Sequence, residues 1–145
     1  MAKLTITSAN SVYMLSVAGL FPAPQRLQGF AADDAFSTEQ VQPAETVMGV
    51  DGKMSAGYLP TMTVQTISIM PDSESGFIFD EWQAKSRAIS EVFWAQALIT
   101  IPGIGRSWTL TNGILTGYTP IPDAKKVLQS RTFSITWENV SAVPL

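Results

Sequence analysis

The stretch VFWAQALITIPGIGRSWTLTNGILTGYTPIP, residues 92–122, carries one charged side chain, Arg106, in 31 residues. Residues 4–25 and 54–71 carry none, and all three stretches are mostly typical of β-strands. A monomeric β-protein normally protects its exposed strand edges with Lys, Glu or Pro. We therefore expect the edges and faces of these strands to be covered, most simply by other copies of the same chain.

The composition of the whole chain supports this expectation. Charged residues make up 14% of its 145 residues and hydrophobic residues 46%, whereas a typical soluble domain is about 25% charged. The length predicts a single domain over residues 1–145. Low charge in an ordered chain indicates surface buried beyond the monomer's own core, because obligate interfaces resemble a core cut in half.

The residue types that are absent exclude several function classes. The chain has no cysteine and no histidine, so it lacks thiolate ligands, the commonest general base and the commonest metal ligand. We expect no enzyme activity, no metal and no cofactor. A net charge of −3 disfavours tight nucleic-acid binding, which needs a basic surface. No run reaches the 18 apolar residues of a membrane span, and residues 1–20 do not resemble a signal peptide. No membrane anchor and a cytoplasmic product are therefore expected.

The opening stretch itself predicts three strands. Residues 91–101 form the first, which Pro102 ends. Asn112 and Gly113 favour the left-handed backbone of a tight turn, so residues 106–111 and 114–118 are predicted to form a hairpin. Downstream, residues 129–140 alternate between apolar and polar side chains, which predicts a final strand with Phe133, Ile135 and Trp137 on its buried face.

Upstream of the opening stretch lie a further strand and the one clear helix. Residues 62–70 predict a strand, with Gln65, Ile67 and Ile69 on one side and Val64 and Thr66 on the other. The helix is predicted over residues 75–90. Asp72 or Ser73 would cap its N-terminus, and Phe79, Trp82 and Ile89 would lie on its buried face.

The N-terminal third is less regular. Residues 11–20 predict a strand that the prolines at 22 and 24 end, residues 26–32 predict another, and residues 32–43 predict a loop. Asp51 and Gly52 lie between two short runs in residues 46–59, which predicts a hairpin that projects from the core. The chain is thus expected to be mainly β: an antiparallel sandwich or barrel with one flanking helix and a projecting loop and hairpin at about residues 33–59.

Other groups of acidic and aromatic residues are better explained by structural roles than by catalytic or ligand-binding sites. The adjacent acids Asp33–Asp34 and Asp80–Glu81 point apart on a strand or helix, so they indicate a solvated face or a subunit contact and not the facing pair of a hydrolase. Asp51 is better explained by a hairpin turn than by a calcium loop. The four tryptophans are better explained by core or interface packing than by a sugar-binding groove. They are Trp82, Trp94, Trp108 and Trp137.

The second half of the chain resembles a known family. The segments TVQTISIMPDS (residues 63–73), FIFDEWQAKSRAI (77–89), GRSWTLTNGILTGYTPIPDAKK (105–126) and VLQSRTFSITWENV (127–140) are together similar to the tail tube proteins of contractile-tailed bacteriophages. The stretch SANSVYMLSVAGLFPAPQRLQGFAADDAF (residues 8–36) also fits. The resemblance covers nearly the whole chain, and no catalytic motif defines it.

This resemblance implies a fold and a function. It implies a β-sandwich or barrel flanked by a helix, related in fold to type VI secretion tube proteins. Six copies would close into a ring, and rings would stack into a tube that conducts DNA during ejection. The implied partners are the tail sheath, baseplate, tail terminator and tape measure proteins, with DNA transiently in the lumen. The implied location is the virion tail, assembled in the host cytoplasm.

Candidate contact residues follow from the uncharged strands and the hairpin. Strands 62–70 and 92–101 would pair edge to edge between copies, and the hairpin and the N-terminal segment would contact the next ring. The candidates within a ring are Val64, Thr66, Ile67, Leu98 and Ile99; between rings they are Val50, Asp51, Gly52, Lys53 and Met54; in the lumen they are Asp33, Asp34 and Glu138.

Two other function classes stay open. The first is a β-sandwich module of a phage fibre or baseplate that binds a carbohydrate or receptor; such a module would stay unpolymerised at high concentration and leave its tryptophans more exposed. The second is a carboxylate-dependent hydrolase, for which the sequence offers no spaced acid pair in an aromatic cleft.

Overall fold

The computed structural model describes residues 11–30 and 35–144. In these residues it contains nine strands and one α-helix. The bounds are β1 Val12–Val17, β2 Phe21–Arg26, β3 Phe36–Thr38, β4 Ala44–Met48, β5 Met54–Tyr58, β6 Thr63–Ile69, α1 Gly76–Ile89, β7 Ala95–Ile101, β8 Arg106–Tyr118 and β9 Arg131–Pro144. A 3-10 turn, Pro102–Ile104, joins β7 to β8.

Seven strands form one antiparallel sheet in the order β2-β1-β7-β8-β9-β6-β3, and β4 and β5 form a separate hairpin. The predicted class, mainly β with one helix and a projecting hairpin, is confirmed. The sheet does not close into a barrel, since its described terminal strands, β2 and β3, each pair on one side only.

The sheet curls so strongly that its two ends meet over the core. The hydroxyl of Tyr13 on β1 donates to Oε1 of Gln65 on β6 at 2.6 Å, and Nε1 of Trp137 on β9 donates to the same oxygen at 3.2 Å. The side-chain oxygen of Gln65 thereby has two hydrogen-bond donors, although the residue is almost fully buried. Burial also raises the pKa of Tyr13 far above its usual range, which keeps its hydroxyl a neutral donor. A polar cluster in an apolar core thus fixes how the ends of the sheet face each other.

Helix α1 covers the core, and its register differs in detail from the prediction. Phe79 stacks on Phe133 of β9 with ring centroids 4.3 Å apart, and Nε1 of Trp82 donates to the carbonyl of Phe93 at 3.2 Å. Ile89, predicted on the buried face, is 57% exposed. It is the last helical residue, and the chain reverses at Ser90 in the left-handed region, so no part of the sheet lies beneath it.

The predicted helix cap is correct only in part. Ser73 Oγ accepts the N–H of Ser75 at 3.2 Å, but Ser75 is the N-cap residue and its own side chain caps no N–H of α1. Both hydroxyls also bind Gln28: that of Ser73 donates to the Gln28 carbonyl at 2.6 Å, and that of Ser75 accepts from the Gln28 N–H at 2.7 Å. The two serines therefore tie the start of α1 to the segment after β2.

An ion pair joins the helix to the sheet. Nη2 of Arg131 lies 2.6 Å from Oδ1 of Asp80, and the Tyr118 hydroxyl donates to the same carboxylate. The Arg131 hydrogen bond lowers the pKa of Asp80, and the carboxylate raises the pKa of Arg131. Asp80 thus has a partner within its own protomer, although 37% of its side chain stays exposed to solvent, and a subunit contact at this residue stays a prediction.

The predicted Asn-Gly hairpin turn is also wrong. Strand β8 runs unbroken through both residues, pairing with β7 on one side and β9 on the other. Asn112 adopts a left-handed φ of 53° and forms a bulge. Gly113 lies against the indole of Trp137, where an added Cβ would be 2.4 Å from Cε3. Of the two residues, only Asn112 adopts the left-handed conformation expected of both. Here it bends a strand, and Gly113 lets a tryptophan lie close to the backbone.

The edge strand β2 contains the prolines that were expected to end a strand. Pro22 and Pro24 lie within Phe21–Arg26. The strand predicted over residues 26–32 is wrong, since residues 27–29 have no strand structure. Gln25 pairs with Leu15 of β1, and the N–H of Leu27 donates to the carbonyl of Tyr13. Because successive residues of a strand point to opposite sides, the nitrogens of the two prolines face away from β1. An edge strand tolerates proline at such positions because no ladder hydrogen bond is lost.

Candidate assembly surfaces

The β4–β5 hairpin is a projecting element with no cover of its own. Every residue of both strands is exposed. Its turn is well formed: the N–H of Lys53 donates to Oδ1 of Asp51 at 3.1 Å, and Gly52 has a φ of 83°. Val50 at the tip is fully exposed. The five inter-ring candidates, residues 50–54, therefore lie together at the end of the hairpin, and their role between rings stays a prediction.

One face of the hairpin is apolar and uncharged. Directly opposed residues of an antiparallel pair share a face, and the opposed pairs Ala44–Tyr58, Thr46–Ala56 and Met48–Met54 alternate with the pairs of the other face. We call these six residues the Met face. Its long side chains, Met48, Met54 and Tyr58, are each more than 60% exposed. The opposite face carries Val47 and the carboxylate of Glu45.

The proposed edge-to-edge pairing of strands 62–70 and 92–101 is wrong for both strands. Strand β6 pairs with β9 on one side and with β3 on the other, and β7 pairs with β1 and β8. Ile67 and Ile99 are also unavailable as contacts within a ring, because their side chains lie in the core. Both strands lack charge because the protomer's own sheet covers their edges.

The true sheet edges are poor templates for a partner strand. Pro22 and Pro24 remove donors from the free side of β2, and β3 is only three residues long. Short or proline-containing edges are what β-proteins use to prevent edge-to-edge association. Any contact between copies would therefore use side-chain surfaces or the hairpin.

The outer face of the sheet, which points away from the core, divides into two kinds of surface. At one flank Met14 of β1 lies opposite Leu98 of β7, and Leu98 is 43% exposed. At the other flank Val64 and Thr66 of β6 are half-buried. These three candidates for contacts within a ring are accessible, and that role stays a prediction.

Between the flanks, β8 and β9 present mainly hydroxyl and amide groups: Ser107, Thr109, Thr111, Asn112, Thr116, Thr132, Ser134, Thr136, Asn139 and Ser141.

Glu138 is the only charged side chain on the outward positions of β8 and β9. Nδ2 of Asn112 donates to the carboxylate of Glu138, and Oδ1 of Asn112 accepts from Nε2 of Gln96 at 3.1 Å. The left-handed bulge at Asn112 thus positions the one carboxylate of this surface. The other two lumen candidates, Asp33 and Asp34, lie outside the described residues.

Two concave regions accompany these surfaces. A groove of about 850 Å³ lies between the hairpin base and the outer face, where Tyr58 and Trp94 meet Asn112, Thr136 and Glu138. Trp94 is 47% exposed, whereas Trp82 and Trp137 pack in the core as predicted.

A smaller cavity of about 260 Å³, which we call the mouth, opens at the end of the core beyond β3. No sequence pattern indicated the mouth, since it exists only because the sheet curls. The residues lining it are Phe36, Thr38, Gln65, Ile99, Ile101, Trp108, Leu110 and Val140.

Neither metal ligation nor membrane crossing is indicated within residues 11–30 and 35–144. They contain no cluster of three acidic, histidine or cysteine side chains suited to a metal ion. In the same ranges no helix has the length and apolarity needed to cross a bilayer.

Comparison with known proteins supports the architecture. A family model described as "Tail fiber protein gp32" matches residues 4–141. No curated protein matches the chain significantly. Among solved structures, a chain of the anti-feeding prophage cap (AFP tube terminating cap) matches with a TM-score of 0.64 at 12% identity, covering 100% of this chain and 95% of that one.

Two further cryo-EM structures match over nearly the whole chain. A chain of the PVC sheath-tube complex in the extended state, an extracellular contractile injection system, gives a TM-score of 0.64 at 13% identity, with 99% and 93% coverage. A chain of the anti-feeding prophage baseplate gives 0.59 at 11% identity, with 99% and 98% coverage. At such identities the likeness establishes a shared fold, and the resemblance to contractile-tail tube proteins is confirmed at that level.

Proposed function

This chain belongs to the tail fiber protein gp32 family, and we propose that it is a structural protein that polymerises into the inner tube of a contractile phage tail. Six copies would form a ring, and stacked rings would form a conduit for DNA ejection. The observation that carries the proposal is the match, over the full chain, to the fold of components of contractile injection assemblies.

The division of the outer sheet face supports a ring. The outer face has an apolar flank at Met14 and Leu98 and a second flank at Val64 and Thr66. The two flanks lie toward opposite ends of the strand order, with β8 and β9 between them. A contact between two different surfaces of one chain is head-to-tail, and it closes into a ring when the rotation between copies allows. In this arrangement the flanks meet between neighbours, and the middle strands β8 and β9 face the bore.

The chemistry of the middle strands suits a DNA conduit. Their outward positions carry mainly hydroxyls and amides, with the apolar Ile114 and Val143 among them, but neither lysine nor arginine. Cationic side chains would hold the phosphate backbone through counterion release. Glu138, repeated in each copy, would instead repel it. The bore would therefore be wettable without retaining DNA.

The remaining partners follow from this role. A tube of this kind would contact the tail sheath on its outside, the baseplate at one end and a terminator at the other. The tape measure protein would precede DNA in the lumen. Assembly would take place in the host cytoplasm, and the mature location would be the virion tail.

Electron microscopy of the purified chain, with and without a baseplate as nucleus, tests the proposal. We expect six-fold rings that stack into tubes of uniform diameter, with analytical ultracentrifugation showing the matching loss of monomer. A chain that stays monomeric at high concentration under both conditions would contradict it.

A second function, binding of a carbohydrate or receptor by a fibre or baseplate module, is favoured by one surface feature. The 850 Å³ groove combines the exposed rings of Tyr58 and Trp94 with amide, hydroxyl and carboxylate groups, which is a suitable set for a neutral hydroxylated ligand. Binding to purified host-surface glycans that Trp94→Ala abolishes, by a chain that does not polymerise, would favour this function over the tube.

A further inference from the structure

We propose that the Met face of the β4–β5 hairpin of one copy docks into the mouth of a second copy and that this contact joins successive rings. The inference rests on the proposed function, which supplies the second copy. It adds what that function leaves open, namely which surface receives the hairpin. Neither the hairpin's receptor nor any role for the mouth was indicated by the sequence.

The hairpin needs a cover that the described part of its own chain does not provide. A two-stranded hairpin is at best marginally stable in water by itself, and here all ten strand residues are exposed. The two faces are unequal, since Met48, Met54 and Tyr58 project from one and Glu45 from the other. Methionine is also the side chain that adapts best to an irregular apolar surface. The Met face is therefore the side that an apolar partner would cover.

The mouth has the complementary chemistry. Among the residues that the structure describes, it is lined by apolar side chains of β3, β7, β8 and β9, with Thr38 and Gln65 as the only polar members and no charged one. Gln65 already accepts two hydrogen bonds inside the core, so its carbonyl does not require a polar ligand. Ile101 and Trp108 at the rim are half-buried. An apolar ridge that filled the mouth would bury these side chains without leaving an unpaired charge.

The strand edges make this route more favourable than strand addition. Proline blocks β2, and β3 offers only three residues, so a neighbouring strand cannot extend the sheet over a useful length. The Met face and the mouth are different surfaces of one chain. A contact between them is head-to-tail, and it repeats along an axis when the rotation between copies does not close it into a ring, which is the case that the stacking of rings requires.

A matched pair of variants tests the hairpin side. Met48 and Val47 are neighbours on β4 with nearly equal exposure, 65% and 63%, but they lie on opposite faces. We expect Met48→Glu to leave folded rings that no longer stack. We expect Val47→Glu to give tubes of normal length, because its charge remains in water. Equal loss of stacking in both variants, or normal tubes from Met48→Glu, would overturn the proposal.

Cross-linking tests the mouth directly, since the chain has no cysteine of its own. A Met48→Cys protein carrying a tag is mixed with an untagged Ile101→Cys protein, assembled, and treated with a short bismaleimide. We expect an adduct that contains one tagged and one untagged chain. Ala84→Cys replaces Ile101→Cys in the control. Ala84 is exposed on α1, away from the mouth and from both flanks, so tubes are expected to form there without the adduct.

The outcomes separate the two ideas. Tubes that form without the Met48–Ile101 adduct would overturn the docking while leaving the proposed function intact. A chain that never assembles would overturn the proposed function and the docking with it. An adduct between Ile6→Cys and Ile101→Cys, in place of the expected one, would show that the N-terminal segment occupies the mouth and would also overturn the proposal.

Discussion

Placing a lysine at Ile67 or at Leu98 should have opposite consequences, although both residues lie on uncharged strands. Ile67 is 0% exposed in the core and Leu98 is 43% exposed on the outer face. A fully buried isoleucine contributes roughly 1.5–3 kcal/mol through its burial. An unpaired ammonium in its place costs several kcal/mol more. The total for Ile67→Lys approaches the whole stability of a typical domain, about 5–15 kcal/mol.

The cost at Leu98 is much smaller in the isolated protomer. About half of the side chain is already in water, so the loss is on the order of 1 kcal/mol, and the flexible stem keeps the lysine charge solvated. For a chain of this size, that corresponds to a decrease in Tm of roughly 2–4 °C. Leu98→Lys should therefore fold, and the predicted flank contact should make it fail at ring assembly.

The assay combines thermal unfolding at a concentration that favours monomer with electron microscopy of concentrated protein. Ala84→Lys, on the exposed surface of α1, adds the same charge away from both flanks and should unfold and assemble like the unmodified chain. Ile67→Lys with a Tm within a few degrees of the unmodified chain would refute the burial argument. Leu98→Lys that forms the same tubes as Ala84→Lys would remove Leu98 from the ring interface.

Three further substitutions test the core, the ion pair and the bore. Gly113→Ala should lower the unfolding free energy by about 1–3 kcal/mol because the new methyl overlaps an indole ring; Gly57→Ala, which has open space around it, is the control, and equal stabilities would contradict the bulge geometry. Asp80 has a lowered pKa in the folded protein, so its contribution is present above its unfolded pKa of about 3.9 and is lost as pH falls through its folded pKa. Because the Asp80 side chain is 37% exposed, solvent screens the pair, and Asp80→Asn should lower the unfolding free energy by only about 1 kcal/mol at pH 7. This difference between the two proteins should narrow in acid, and a difference independent of pH would count against the ion pair. Glu138→Lys should assemble normally but give tubes that retain DNA at low salt, and tubes that release DNA as readily as the unmodified ones would move Glu138 out of the bore.

The sequence correctly predicted the elements that depend on local periodicity and backbone preference. Strand β6, the buried alternation of Phe133, Ile135 and Trp137, the helix within one residue at each end, and the Asp51–Gly52 hairpin all follow from such signals. The outcome at Asn112 and Gly113 shows the limit of local signals. The left-handed preference is correct for Asn112 alone, and the partner strands on both sides of β8 decide that the chain bulges there and does not reverse.

Assembly surfaces were predicted less well, because charge patterning cannot distinguish a strand buried inside its own sheet from one buried by a partner. Ile67 and Ile99 were taken for contacts between copies on that basis, and the strand order shows that they belong to the core. Likewise, Asp80 was read as a surface acid because its partner Arg131 is distant in sequence.

By itself the sequence determined the class of the fold, the low charge of its strands and the exposed hairpin, since each depends on residues within a few positions of one another. Tertiary structure alone decided which of the uncharged strands are covered by their own sheet, as Ile67 and Ile99 are. The curl that brings Tyr13 to Gln65 across 52 residues of chain closes the core and leaves the mouth at its end. That curl results from burying both ends of one sheet on a shared polar cluster, and no short window of sequence contains it.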